Sequence, residues 1–153
     1  MMVLCHKPKV YLVLKGDNDF TTGSGMTRIL LLVIGAYYFA NGLFMMAAPE
    51  NWYQLTPGVS MTGPYNWHFI IDIALIYMIS GAASMWGSWN NNLTSIFVGL
   101  SWPVSHAVFH IYVWVERGAP ADLIALANLA GIQLPAWIGL LILAKYQNAK
   151  PSQ

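Results

Sequence analysis

Residues 93–115 read LTSIFVGLSWPVSHAVFHIYVWV and contain no Asp, Glu, Lys or Arg. A stretch of about 20 apolar residues is what a helix needs to cross a hydrocarbon core of about 30 Å. Lipid offers no water to the backbone, so such a stretch must close its own hydrogen bonds as a helix. Working outward, three more runs of this kind lie at about 29–48, 67–88 and 123–145. Hydrophobic residues make up 57% of the 153-residue chain and charged residues 8%, against the roughly 25% charge of soluble domains. The pattern predicts an all-α chain: a polytopic membrane four-helix bundle over residues 26–148, with a tail at 149–153.

Residues 1–25 differ from the rest. They carry Lys7, Lys9 and Lys15 and then a polar stretch, Gly16 to Gly25. The short apolar run Val10–Leu14 does not make the core of a signal peptide. The segment reads as a cytoplasmic tail or as an upstream mis-start ahead of Met26. The single cysteine, Cys5, forms no internal disulfide and, beside His6, reads as an idle tail thiol. A formal charge of +1 excludes the basic stripe that nucleic-acid binding requires.

Cationic residues set the expected orientation. Lys7, Lys9, Lys15 and Arg28 precede the first run, Lys145 and Lys150 close or follow the last, and Arg117 stands alone in the third loop. The positive-inside bias then places both termini in the cytoplasm, with loops 49–66 and 116–122 outside. Trp52, Tyr53, Tyr65, Trp67 and Trp114 fall at the outer interface, and Trp86, Trp89 and Tyr146 at the inner one. With about 1.5 Å of rise per residue, Asn41, Asp72, His110 and Asn128 reach one layer in the outer half.

Ionisable groups inside a span cost roughly 2.5–3.5 kcal/mol each on insertion scales, so they mark candidate sites. His68-x3-Asp72 and His106-x3-His110 each place two donors on one helix face, the spacing by which helical His pairs bind zinc. Three imidazoles and one carboxylate suit zinc, copper or iron. Tyr37, Asn41, Asn128 and Arg117 are the expected outer shell around those ligands. The competing reading is a hydrogen-bonded polar cluster that fixes helix register and binds nothing. A third is haem b held between His68 and His110. Pro103 and Pro135 interrupt their spans and can kink them next to this layer. Ala74, Gly81 and Ser88 form a small-residue stripe on the second span, opposite the His68–Asp72 face. That stripe motivates a homodimer or a larger membrane complex as partner besides the lipid bilayer. Loop 49–66 carries turn signals at Pro57-Gly58 and Gly63-Pro64 and reads either as a lid over the polar layer or as an interfacial connector.

A first span ending in Ala48-Pro49-Glu50-x-Trp52-Tyr53, followed by Thr62-Gly63-Pro64-Tyr65-Asn66-x-His68-Phe69-x-x-Asp72, resembles a group of small bacterial inner-membrane proteins. The four-helix layout is similar to DoxX-like proteins, and the likeness covers about residues 28–145. It implies a four-helix fold in the bacterial inner membrane and carries over His68 and Asp72, with His110 after them. It implies no activity. The residues themselves lead to a small accessory membrane protein that binds a metal ion or a partner complex through its His/Asp site. A haem-binding redox subunit and a purely structural protein are the alternatives.

Overall fold

The computed structural model describes residues 25–148, side chains as far as Lys145. The tail at 1–24 with its Cys5–His6 pair, the tail at 149–153 and the Tyr146 side chain lie outside the described residues. The chain forms α1 (Gly25–Ala47), α2 (Pro49–Leu55), a 3-10 turn (Val59–Met61), α3 (Trp67–Trp89) and α4 (Leu93–Glu116). It continues as α5 (Leu123–Asn128), a π-helical turn (Leu129–Gln133) and α6 (Leu134–Asn148). The last three run together as one span, Leu123–Lys145, and with α1, α3 and α4 make four helices long and apolar enough to cross a membrane. No strand occurs among the described residues. The fold is the expected all-α bundle of an integral membrane protein. We call the end that carries α2 and loop 117–122 the cap end.

Side chains start three of the four spans. Asn66 accepts the N–H of Phe69 at 3.1 Å, Asn92 that of Ser95 at 3.0 Å, and Asp122 that of Ala125 at 2.8 Å. Each satisfies one of the backbone donors that a helix N-terminus leaves open. Asp122 also receives Arg117 Nη2 at 2.6 Å. The Ala125 N–H above all, and then the Arg117 guanidinium, hold the Asp122 carboxyl below its ordinary acidity range. A depressed folded value means that this contribution is present above the unfolded value of about 3.9 and is lost as pH falls through the folded one. Asp122→Ala is expected to melt below wild type at neutral pH, with the gap narrowing as the pH is taken down. Thermal melts in detergent check this; a gap that stays constant with pH would contradict it.

Packing follows residue size. Helix α3 is central, with α1 on one side and α4 on the other, while the fourth span closes more lightly on α4 and α1. At Gly81 a Cβ would lie 2.5 Å from both the Gly35 carbonyl oxygen and the Phe39 nitrogen, so α1 and α3 touch backbone to backbone. Close approach of this kind is how membrane helices gain contact when lipid removes the hydrophobic drive between them. Ala74, Gly81 and Ser88 are all buried inside the protomer. The stripe that motivated a homodimer therefore faces into the bundle, with Ala74 and Gly81 against α1.

Segment 49–66 is more ordered than a plain loop. Pro49 at the first turn and Glu50 behind it start α2 as helix N-termini favour. The Tyr53 hydroxyl donates to Gly63 O at 2.7 Å and holds the returning chain. Gly58 sits at φ 87°, a left-handed backbone that suits glycine, and its α-carbon faces the Ile124 side chain. The segment thus straps the cap end from α1 across to α5.

Candidate functional site

Beneath the strap lies a chamber of about 1170 Å³. Tyr37 and Asn41 from α1, Tyr77 from α3, His106 and His110 from α4, and Asn128 from α5 supply its polar wall. The strap residues Trp52, Tyr53 and Thr62 line it too, which makes segment 49–66 a lid on the polar layer. Trp52 Nε1 donates to Asn41 Oδ1 at 3.3 Å and fixes lid to helix. Among the described residues no Asp, Glu, Lys or Arg lines the chamber.

Five of the eight residues singled out from sequence, Tyr37, Asn41, His106, His110 and Asn128, meet here. His68 stands at the rim, with its side chain 82% exposed. Asp72 does not line the chamber: it is 55% exposed and lies 3.4 Å from His68. The reason is angular. Ile70, Ala74 and Tyr77 point inward, and at about 100° per residue Asp72 is roughly 200° from both Ile70 and Ala74. The small-residue face is the inner one, and the His68–Asp72 face looks outward. Arg117 is not an outer-shell partner of the histidines either; it pairs with Asp122 across the 117–122 loop. Among the described residues no three His, Cys, Asp or Glu side chains are grouped to hold a metal ion. The expected four-ligand set is two separate pairs.

Helix α4 presents a ladder of rings at i, i+4 and i+8. Trp102 stacks on His106 with centroids 4.6 Å apart at 14°, and His106 meets His110 edge-on at 4.4 Å. Tyr77 closes on Trp102 from α3 at 4.8 Å, also edge-on. His106 is half-buried, its neighbours are rings, and no described residue hydrogen-bonds to it.

A chain of hydrogen bonds orients His110. An indole N–H can only donate, so Trp137 Nε1 at 2.8 Å requires the oxygen of the Gln133 amide to face it. Gln133 Nε2 then donates to Ala107 O at 2.9 Å and to Asn128 Oδ1 at 3.1 Å. Asn128 is left to offer its Nδ2, 3.3 Å from His110 Nδ1. In neutral His110 that nitrogen accepts, so the ring proton belongs on Nε2. One indole and one backbone carbonyl thus select a tautomer two side chains away.

The same stretch explains the break in the fourth span. Pro135 has no N–H for the carbonyl of Gly131 four residues earlier. The Tyr37 hydroxyl of α1 donates to that carbonyl at 2.8 Å. Just before the proline the helix widens into a π turn, with Leu134 N–H reaching back to Leu129 O. Such turns are frequent at functional sites. The sequence reading missed Gln133 and Trp137; a glutamine within an apolar run two residues ahead of a proline was the available signal. It also missed Trp102, whose four-residue spacing from His106 put it on the same face. Comparison with protein-family models, with curated proteins and with solved structures gives no match.

Proposed function

We propose that this is a membrane-embedded binding protein whose chamber holds a small, uncharged, flat organic molecule. The observation that carries this reading is His106, whose two ring nitrogens have no partner among the described residues and whose ring belongs to the chamber wall. Both nitrogens stay open to the chamber, so whatever fills it must supply their partners. A neutral imidazole needs one acceptor and one donor from its guest. The Trp102, Tyr77 and His106 rings offer flat surfaces, and the lack of formal charge in the wall argues against an ionic guest. The donors lie in pairs rather than in a cluster, which favours an organic ligand over a metal ion. The positive-inside bias would put the cap end on the outer side of a bacterial inner membrane, making this an accessory protein that receives its ligand in the outer leaflet.

Extraction of protein purified in a mild detergent, followed by mass spectrometry, tests the reading. Wild type is expected to carry one uncharged compound near one per chain, His106→Ala at least ten-fold less, and His68→Ala about as much as wild type. Bulk lipid and detergent alone in the wild-type extract, or undiminished loading of His106→Ala, would defeat it. Stoichiometric zinc, copper or iron by elemental analysis would defeat it in favour of an ion.

A further inference from the structure

A second cavity, of about 970 Å³, lies on the far side of the chamber wall, between α4 and the fourth span. Ile111, Leu123, Leu126, Leu129 and Trp137 give it an apolar lining. Leu123, Leu126 and Leu129 are 69%, 60% and 49% exposed, which in a membrane span means contact with lipid chains. His110 and Asn128, 3.3 Å apart, line both spaces and are the part of the wall that the two share. The fourth span is the most lightly packed, and its π turn starts immediately after Asn128. Elements with few packing contacts are the ones that open at low cost. At the groove's cap-end mouth Arg117 and Asp122 neutralise each other, so neither is left to bind a phosphate headgroup.

Resting on the chamber reading above, we propose that this groove is a lateral port for a single-tailed, uncharged membrane lipid. The tail lies in the groove, and the flat, hydrogen-bonding head passes between His110 and Asn128 to reach His106. The groove lining supports that occupant: apart from Asp122, its polar side chains are His110, Asn128 and Gln133, joined to one another by hydrogen bonds, and the rest of the lining is predominantly apolar. A water-soluble guest would have no use for the second space.

The test uses the full chain in phosphatidylcholine nanodiscs containing a few mole per cent of an uncharged, flat-headed lipid, an N-alkyl benzamide with a diazirine in its tail. Photolysis and peptide mapping are expected to place label on Ile111, Leu126 and Leu129 at least five-fold above Ile29 and Val33, which are lipid-facing positions of α1. Leu126→Trp, which fills the groove from a lipid-exposed site, is expected to abolish the enrichment while the helical spectrum stays intact. Label spread evenly over all lipid-facing positions, or enrichment untouched by Leu126→Trp, overturns the port. Enrichment that survives His106→Ala overturns it as well, because the tail would then be held without the head. If the wild-type extract still carries its compound while the groove stays unlabelled, the port fails and the chamber reading stands. An empty extract defeats the chamber reading by itself.

Discussion

Gly81→Leu is expected to keep α1 and α3 from assembling, the largest loss of stability for any single change considered. Its α-carbon faces backbone, Gly35 O and Phe39 N, and not the yielding end of a side chain. Over-packing ordinarily costs about 1–3 kcal/mol because neighbours shift. Here the neighbour that must shift is a whole helix. Gly81→Ala should already fall in that range, and the leucine variant should give no cooperative unfolding transition in detergent. Gly25 is the control: its α-carbon meets nothing within 4 Å, so Gly25→Ala should leave the transition unmoved. If Gly81→Leu melts like wild type, the close α1–α3 contact does not exist.

Gln133→Leu is expected to have the second largest effect, and to act on chemistry as well as stability. The substitution conserves rough volume but removes bonds to Ala107 O, Asn128 Oδ1 and Trp137 Nε1 together. At the average of about 0.6 kcal/mol measured for polar contacts in membrane proteins, three bonds come to roughly 2 kcal/mol. The chemical effect is more specific. Without Gln133 nothing fixes which end of the Asn128 amide faces His110, so both tautomers become accessible. Nitrogen-15 spectra should show His110 protonated on Nε2 in wild type and a mixture of tautomers in Gln133→Leu. Trp137→Phe should keep His110 on Nε2, because the Ala107 carbonyl still requires the Gln133 amide nitrogen, and should cost less stability, since it removes one bond of the three. A single unchanged tautomer in Gln133→Leu would break the proposed relay.

The span boundaries were legible because hydropathy and length answer to the thickness of the bilayer. The meeting of Tyr37, Asn41, His106, His110 and Asn128 was legible from depth and helical angle. The facing of α3 was not. In a soluble helix the polar side would have pointed to water and settled the matter. In a span both sides are apolar, and small residues rather than greasy ones mark the contact face. Taking Asp72 as the inward landmark therefore turned α3 around, and with it the dimer stripe. Segment 49–66 hid α2 because its helical signals, Pro49 and Glu50, stand at the edge of a run already dense with turn residues. The tautomer relay needed coordinates, since Gln133 and Ala107 are 26 positions apart.

The outward-looking His68–Asp72 pair sets the waterline of the molecule. Asp72 is five residues into α3, so it sits about 7.5 Å below the helix start, within reach of headgroups and the water they hold. Sinking α3 further would drag a carboxylate into oil, and lifting it would strip lipid from the exposed Leu75 one turn below. In a bilayer the pair would act as a float that fixes the draught of the whole bundle, because α3 is the keel to which α1 and α4 are bolted. A thicker bilayer would then have to dimple around this helix rather than swallow it.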